Sequence, residues 1–311
     1  MHIAVVDPNR TVLKCIKLLL DARDHHVYPF VDGEEALSYI DTDPDVDAAI
    51  ISVEQASGPG AGLELCWRAR AVASARRPIY VILMSSDGDR RTLIEALDSG
   101  ADDFIAKPPV AEELYARLRA AERVNAMQRD LIRVANTDPL TGVLNRRAFF
   151  EQAQCVCERA AAGVALSAIM MDIDHFKQIN DRFGHAVGDE VIRRIAGEVA
   201  KDNRIVGRLG GEEFALLMEA DVSATSQLAE LLRRDVAAMA FTTAKETLAT
   251  TCSFGVSEWH AGDDIDQLLR RADMALYAAK SGGRNRVVDD RGGLTVRNYD
   301  QHPTTIRATT R

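Results

Sequence analysis

Residues 210–213, Gly-Gly-Glu-Glu, combine residue types that could serve phosphate and metal chemistry. The β-branched Ile205 and Val206 precede this stretch, and residues 214–218 after it form an apolar run short enough for a buried strand. Glycine tolerates positive φ at a tight turn and, lacking a Cβ, lets the backbone approach a phosphate closely. The sequence therefore predicts a hairpin with two glutamates at the mouth of a strand, where carboxylates can hold a divalent cation.

A second stretch of polar residues lies upstream of this hairpin. Residues 169–177 read as a hydrophobic strand that ends in acids, followed by Phe176 and Lys177, and a further polar run covers residues 180–189. A divalent cation needs carboxylates and the remaining phosphate charge needs lysine or arginine, so the two stretches together predict a metal and phosphate site. Taken alone, the Gly-Gly-Glu-Glu stretch could equally be a surface turn followed by solvated acids.

These motifs resemble those of the GGDEF-domain diguanylate cyclases, in the GGEEF variant of the signature. The resemblance runs from residues 138–147, Asp-Pro-Leu-Thr-Gly-Val-Leu-Asn-Arg-Arg, to residues 278–286, Ala-Ala-Lys-Ser-Gly-Gly-Arg-Asn-Arg. Four separated motifs in the right order are more specific than any one of them. The resemblance implies an α+β domain with a central, largely antiparallel sheet covered by helices, similar to the palm of nucleotidyl cyclases.

The resemblance also implies a reaction and assigns residues to it. Two GTP molecules condense to cyclic di-GMP and release two pyrophosphates, and each of two domains meeting face to face holds one GTP. Mg²⁺, or alternatively Mn²⁺, is expected on Asp172, Glu212 and the Ile173 carbonyl, with Glu212 also accepting the proton of the 3′-hydroxyl. The other catalytic groups implied are Glu213, Lys177 and Arg208. The substrate-binding positions implied are Phe176, Asn180, His185, Asp189, Lys280 and Arg284.

Specificity and phosphate binding follow from the types of these residues. Asp189 favours GTP, because an aspartate accepts from guanine N1 and the exocyclic amine, which adenine cannot reproduce. Lys280 and Arg284 are four residues apart on a helix predicted to end in Gly282-Gly283, so both can point one way. Plainer alternatives exist: Lys177 and Arg284 could be solvated charges, and His185 could cap a helix.

Composition sets the broad class. A chain of 311 residues predicts two domains, and its contents of 47% hydrophobic and 27% charged residues are ordinary for globular proteins. No apolar run is long enough for a membrane span and no signal peptide is recognisable, so we expect a cytoplasmic protein without membrane insertion. The net charge of -9 argues against a nucleic-acid partner. The five cysteines form no repeated pair, which indicates neither a disulfide framework nor a zinc site.

The N-terminal part of the chain alternates strand-like and helix-like stretches. Buried-strand runs occur at residues 3–6, 48–53, 79–84 and 104–106, and amphipathic helices at residues 11–20, 34–40, 63–73 and 90–97. This alternation predicts an α/β domain, doubly wound as (βα)5, with its functional residues at the carboxyl ends of the strands.

Those strand ends resemble the receiver domain of two-component response regulators. Asp7, Ser85 and Lys107 match the pattern of that family, whereas Ser52 stands where the phospho-accepting aspartate is usual. Pro8 likewise replaces a metal-binding aspartate. We therefore interpret the domain as a receiver that has lost phosphorylation.

Two alternatives keep the receiver active. In one, the register is shifted and Glu54 or Asp47 is the phosphate acceptor, although Asp47 falls before the apolar run and Glu54 falls two residues late. In the other, phosphotransfer by the receiver is the output of the protein, which Ser52 and Pro8 disfavour.

A third rival concerns the C-terminal domain, which could be a catalytically silent nucleotide-binding scaffold or receptor. That rival predicts an eroded signature, and the signature is intact.

Residues 112–135 predict one long helix that joins the two domains. Its apolar stripe recurs at spacings of three and four, at Leu114, Leu118, Ala121, Val124, Met127, Leu131 and Val134. The first half should pack on the receiver, and pairing with the same helix of another chain would bury the second half. We thus expect a homodimer formed through the receiver and this helix, while the upstream signalling partner is not identifiable.

The expected boundaries are a receiver-like domain over 1–121, a helical linker over 122–136, a GGDEF domain over 137–290 and a disordered tail over 291–311.

One further motif of the family is missing from this sequence. Many members of the family carry Arg-x-x-Asp shortly before the signature, where bound product inhibits the enzyme. Lys201 and Arg204 occupy those positions here, so product should bind weakly.

Overall fold

The computed structural model describes residues 1–55, 58, 60–72, 77–86, 90–242 and 247–291. The chain divides into two compact units, Met1–Ala135 and Asn136–Arg311, and each is described by itself. The expected disordered tail, apart from Arg291, lies outside the described residues.

The N-terminal unit has the predicted doubly wound α/β fold, with a parallel sheet in the order β2-β1-β3-β4-β5. Its strands are β1 (His2–Val6), β2 (His26–Phe30), β3 (Val46–Ser52), β4 (Tyr80–Ser85) and β5 (Asp103–Ala106). Its helices are α1 (Arg10–Asp21), α2 (Gly33–Thr42), α3 (Ala61–Val72), α4 (Arg90–Asp98) and α5 (Ala111–Asn136). Apolar cores on both faces bury the central strands, which explains their nearly continuous hydrophobic runs.

The strand β2 was not predicted, and its place in the sheet explains why. It lies at the edge and pairs with β1 alone, so its sequence His-Val-Tyr-Pro-Phe mixes exposed and buried residues instead of forming an apolar run. Pro29 lacks an N–H and is tolerated at such an edge because no further strand needs that donor. The other four strands begin and end within two residues of the predicted runs.

The helix α5 changes character halfway along its 26 residues. Leu114, Leu118 and Ala121 are at most 1% exposed and belong to the receiver core. The second half of the stripe is exposed to solvent: Val124, Met127, Leu131 and Val134 are 38–72% exposed. The apolar stripe of one helix is therefore half core and half surface.

The C-terminal unit contains a mixed six-stranded sheet in the order β13-β12-β7-β9-β8-β6. The strands are β6 (Leu144–Asn145), β7 (Ser167–Ile173), β8 (Ile205–Gly210), β9 (Glu213–Met218), β10 (Phe241–Thr242), β11 (Thr247–Leu248), β12 (Cys252–Glu258) and β13 (Val287–Asp289). The four central strands are antiparallel, which confirms the predicted class, while β6 and β13 join parallel to their neighbours. The short strands β10 and β11 pair separately.

Helices cover both faces of this sheet. They are α6 (Arg146–Ala161), α7 (Phe176–Phe183), α8 (His185–Val199), α9 (Val222–Ala238) and α10 (Ile265–Ser281), with a 3₁₀ turn at Lys201–Asn203. Alternate residues of β7 serve the two faces: Met171 packs into the core that includes α7, α8 and α9, and Met170 into the core that includes α6 and α10. Gly255 in β12 allows α10 close approach, since a Cβ there would lie 2.1 Å from the Ala272 oxygen.

Candidate active site

The hairpin between β8 and β9 forms the predicted turn and brings three acids together. Gly210 pairs with Glu213, and Gly211 adopts a φ of 52°, a left-handed conformation that suits glycine. On the other side of β9, Glu213 lies directly opposite Asp172 of β7. Side chains of directly opposed residues share one face of a sheet, so the strand pairing places Asp172 beside Glu213. Glu212, in the turn before β9, is close enough to act on Asp172 electrostatically.

Burial and mutual repulsion govern the charge of this acidic cluster. Asp172 is only 7% exposed. Burial raises its pKa to about 6, and the charges of Glu212 and Glu213 add to the rise against the opposing effect of Lys280. Burial also raises the pKa of Glu213. The cluster therefore carries negative charge that a cation would relieve.

Within the protein, a lysine supplies positive charge to this acidic cluster. Lys280, in the last turn of α10, places its Nζ 2.8 Å from Asp172 Oδ2. Across the described ranges, no group of three or more His, Cys, Asp or Glu side chains is arranged to hold a metal ion. Asp172 and Glu212 nevertheless offer oxygen donors of the kind that hard divalent cations prefer. Further ligands would have to come from main-chain, water or phosphate oxygens.

Arg208, predicted as a catalytic cation, contacts protein groups on both of its sides. Its Nε donates to the Gly211 carbonyl at 2.8 Å, and its Nη1 lies 2.9 Å from Asp138 Oδ1. Asp138 also accepts from the amide and the hydroxyl of Thr141, at 3.0 and 2.8 Å. The guanidinium thus braces the turn that carries Glu212. Asp138 was quoted in the sequence as part of a motif, but its contact with Arg208 was not foreseen.

The prediction that Lys280 and Arg284 share one helix is wrong. The helix α10 ends at Ser281, and Gly282 is its C-cap. Arg284 lies beyond it, with a φ of 62°. The helix stops at the glycines, as predicted, but Arg284 follows them, so helical periodicity does not set its position.

Two cations near the site have no acidic partner in the part of the chain that the structure describes. Lys177 in the first turn of α7 and Arg284 after α10 are both exposed, and neither forms an ion pair there. Many surface arginines of this chain, such as Arg147 and Arg193, are paired with glutamates. Lys177 and Arg284 are therefore available to an external anion.

Asn180 of α7 packs closely against Gly188 of α8. The Asn180 Oδ1 atom is buried and lacks a hydrogen-bond partner among the described residues. Glycine permits this contact, because a Cβ at residue 188 would lie 2.0 Å from Asn180 Oδ1 and 3.2 Å from Phe176 Cζ. Asp189 is half-buried next to Gly188. A planar group with hydrogen-bond donors would satisfy the orphaned oxygen.

His185 is exposed and is the first residue of α8. Gly184 occupies the N-cap position and there is no side-chain cap bond, so the alternative of a capping histidine is not what the structure has. Ile173 ends β7 and is 1% exposed.

Asp174 was missed as a site residue, although it follows Asp172 by two positions. It is 3% exposed and its carboxylate accepts three hydrogen bonds. Thr251 Oγ1 donates at 2.6 Å, Ser253 Oγ at 2.7 Å and the Asn285 amide at 3.0 Å. The only signal in the sequence was the repeated acid at the end of a strand, because the three donors lie far away along the chain.

In the N-terminal unit, a lysine joins the carboxyl ends of the sheet. Lys107 Nζ lies 2.7 Å from Asp7 Oδ2 and 2.8 Å from Glu54 Oε2. It also contacts the hydroxyl of Ser52, the last residue of β3. The strand end expected to carry the acceptor therefore carries a serine, and a glutamate from the following loop turns back to the lysine.

Glu54 is held by further donors at the end of β4. Its Oε1 accepts from Ser85 Oγ at 2.6 Å and from the Ser86 amide at 2.8 Å. Burial acts to raise the pKa of Glu54, but the bonds from Lys107, Ser85 and Ser86 outweigh it and hold the pKa at about 2. This carboxylate is thus ionised and occupies a small anion site.

Comparison with known families covers both units. The sequence model of the family described as "Diguanylate cyclase, GGDEF domain" matches residues 135–286, and that of "Response regulator receiver domain" matches residues 3–119. Separately, within the described ranges no helix is both long and apolar enough to cross a membrane.

Individual relatives repeat the same architecture in part. Response regulator PleD of Caulobacter vibrioides is 34% identical over 275 residues, covering 84% of this chain and 60% of that protein. Diguanylate cyclase DgcP of Pseudomonas aeruginosa is 42% identical over 192 residues, covering 57% of this chain and 29% of that protein. The chain therefore spans at most 60% of the length of these two curated relatives.

Among solved structures, the coiled coil and GGDEF domain of DgcB from Caulobacter crescentus, in complex with c-di-GMP, is similar to the present chain. The match has a TM-score of 0.52 and 34% identity, and it covers 57% of this chain and 97% of that one.

Proposed function

Because residues 135–286 make this chain a member of the GGDEF family, joined to a response-regulator receiver domain, we propose that it is a diguanylate cyclase. It would condense two GTP into cyclic di-GMP and release two pyrophosphates. The observation that carries this proposal is the acidic cluster at the glycine turn, where Asp172 lies opposite Glu213 next to Glu212. The buried Asn180 oxygen, which lacks a hydrogen-bond partner among the described residues, supports a base site beside it.

Asp172, Glu212 and the Ile173 carbonyl would hold a divalent cation, Mg²⁺ or Mn²⁺. When bound, the ion supplies neutralisation of phosphate charge and polarises the phosphoryl oxygens. The raised pKa of Asp172 fits this assignment, since a buried carboxylate among like charges favours a positive ligand.

The other residues bind the nucleotide and move its proton. Asn180 and Asp189 accept from the guanine edge, and Phe176 lies beside them, close to Gly188. Lys177, Lys280 and Arg284 bind the phosphates. Glu212, on the turn that Arg208 braces, takes the proton of the 3′-hydroxyl, with Glu213 beside it. His185 is exposed at the entrance to α8 and is the outermost of the nucleoside contacts.

The reaction needs two such domains, because each holds one of the two GTP molecules. We therefore propose a homodimer in which the receiver and the exposed half of the α5 stripe form the contact. Four apolar side chains that are 38–72% exposed support this assignment, since paired helices would remove them from water. We also propose a cytoplasmic location, because the substrate is a cytoplasmic nucleotide.

The receiver is proposed to work without phosphorylation. Ser52 at the end of β3 cannot form an acyl phosphate, and Pro8 offers no carboxylate to a metal ion. Glu54 already contacts Lys107, which supports the same conclusion.

Incubation of the purified protein with GTP and Mg²⁺, followed by identification of the products, tests the proposed reaction. Glu212→Gln should lower turnover by about 100-fold or more, because it removes a metal ligand and the proton acceptor together. The variant should keep its circular dichroism spectrum and Tm, since residue 212 lies in a turn outside the buried core. A Glu212→Gln variant with near wild-type turnover would show that the site is misassigned. A wild-type protein that binds GTP without turnover would favour the silent receptor.

A further inference from the structure

The loop after α10 contains two consecutive non-glycine residues in the left-handed region. Arg284 has a φ of 62° and Asn285 a φ of 46°. Such residues are uncommon and cost free energy unless their surroundings hold them. One of these two strained residues is Arg284, an exposed cation with no acidic partner among the residues that the structure describes.

A buried carboxylate holds this strained loop. The Asn285 amide donates to Asp174 Oδ2 at 3.0 Å, and the Phe254 amide donates to the Arg286 carbonyl at 2.9 Å. Asp174 is itself fixed by Thr251 and Ser253, at the start of β12. The loop is thus anchored to the two strands β7 and β12.

We propose that Asp174 is a positioning residue that holds the 284–285 backbone so that the Arg284 guanidinium meets a nucleotide phosphate. The inference rests on the proposed function, which supplies the phosphate. Asp174 acts through the protein and does not touch the nucleotide. Because it follows the metal-binding position Asp172 by two residues, one strand end sets the location of both the cation ligand and the phosphate ligand.

The test separates positioning from general stabilisation. Asp174→Asn removes the charge and leaves one acceptor oxygen where the carboxylate has two, so it cannot accept from both Ser253 and the Asn285 amide with charge-assisted bonds, and the anchor of the loop weakens. Titration with 3′-deoxy-GTP, which lacks the attacking hydroxyl, measures binding without turnover. We expect the Kd to rise about tenfold, as for loss of one hydrogen bond at a charged group. With GTP, KM should rise and kcat should change little.

Two controls sharpen this test. Thr251→Ala removes another bond to the same carboxylate but leaves the Asn285 contact, so the Kd should stay within about twofold of wild type. In an Arg284→Ala background, Asp174→Asn should add little, because its effect passes through Arg284. Asp174→Glu, which displaces the carboxylate by one methylene, serves if the Asn variant does not fold and should also weaken binding.

An unchanged Kd in Asp174→Asn, or an equal loss with and without Arg284, would overturn the positioning role. If wild type makes no cyclic di-GMP while the coupling to Arg284 persists, the proposed function fails and the positioning role stands.

A different observation, in the receiver, carries a second inference. The Glu54 carboxylate receives the Ser85 hydroxyl, the Ser86 amide and the Lys107 ammonium. Lys107 is only 9% exposed at its side chain and also pairs with Asp7. Converging donors of these types form a site for an oxyanion, and the chain fills it with its own side chain.

We infer that Glu54 permanently occupies the anion site of the receiver and excludes tetrahedral oxyanions from it. Glu54→Ala should open the site, so that inorganic phosphate raises the Tm of the variant in a saturable way. The Tm of wild type should not respond, nor should that of Glu64→Ala, which removes an exposed carboxylate from the same domain.

Acetyl phosphate gives an independent readout of the same site. Wild-type turnover should be insensitive to it. An equal phosphate-dependent rise in Tm for wild type and Glu54→Ala would overturn the inference, and so would an acyl phosphate found on Glu54. A Glu54→Ala variant that gains no response to phosphate would show that no oxyanion site lies beneath the glutamate.

Discussion

Burial, neighbouring negative charges and an ion pair with a lysine all act on Asp172. It is buried, opposed by two neighbouring acids and paired with Lys280. Its pKa of about 6 lies above the usual value for an aspartate, so in the range between the two values the folded protein holds a proton that the unfolded chain has lost. Stability contributed by this group therefore falls as pH rises through that range.

Cation binding should have the opposite dependence on pH, because a metal ligand must be deprotonated. We expect Mg²⁺ to raise the Tm of the protein clearly at pH 7.5 and only weakly at pH 5, where Asp172 with its pKa of about 6 is protonated. Thermal unfolding at both pH values, with and without Mg²⁺, measures this. Asp172→Asn should lose the response at both, and an unaltered response in that variant would remove Asp172 from the cation site.

Product binding is a second question at this scale. Lys201 is paired with Glu198 at 2.5 Å, and Arg204 pairs with Asp202 at 2.8 Å and is 12% exposed at its side chain. Neither position offers the acceptor that guanine requires, so we expect calorimetry to detect no submicromolar binding of cyclic di-GMP through this site. Submicromolar binding that Arg204→Ala abolishes would refute the prediction.

At the scale of elements, the hairpin between β8 and β9 depends on contacts from outside it. Arg208 joins the Gly211 carbonyl to Asp138, at the start of the C-terminal unit. Arginine makes both contacts with one rigid planar group, whereas lysine supplies a single point charge. The turn should therefore lose its geometry when either partner of this ion pair changes.

Arg208→Lys and Asp138→Asn should each lower kcat by about 10- to 100-fold, the usual effect of misplacing a catalytic group. Combined, they should cost little more than either alone, because they break one contact. Steady-state kinetics of the three variants provides the measurement. A large loss in Arg208→Lys with normal kcat in Asp138→Asn would mean that Arg208 acts on the nucleotide directly.

Elements that bury one continuous face could be predicted from the sequence, and those that depend on distant partners could not. The runs of β1, β3 and β4 and the apolar stripe of α5 are local signals, because the core dictates their residue types. The edge strand β2 carries no such signal. The anchoring of Asp174 joins positions more than 70 residues apart, which no local pattern encodes.

The same distinction between local sequence signals and distant contacts applies to the residues of the site. The residue types of Asp172, Glu212 and Asn180 suggested their chemistry, and the strand pairing brings the acids together. The position of Arg284 could not be derived from helical periodicity, because this residue lies beyond the glycines at which α10 ends. Sequence motifs thus identify the residues of the site, but they do not give the contacts that position those residues.

For the whole molecule, the proposed reaction requires two C-terminal domains to meet. Leu131→Glu, on the exposed half of the α5 stripe, should dissociate the dimer in sedimentation experiments and lower specific activity by about tenfold or more, because the encounter becomes bimolecular. Gln128→Glu adds the same charge at an exposed polar position of the same helix and should change neither property. Full activity in a monomeric Leu131→Glu variant would contradict the proposed arrangement.

Under the proposed assignment of the site, the ion pair between Lys280 and Asp172 would make the affinities for cation and nucleotide interdependent. At rest, the lysine neutralises the acid that a metal ion would otherwise claim. A nucleotide phosphate that draws Lys280 away vacates Asp172, and an ion on Asp172 frees Lys280 for phosphate. Each ligand thereby strengthens the binding of the other by the same factor, as thermodynamic linkage requires. We therefore expect the saturation of the protein by either ligand to depend on the concentration of the other.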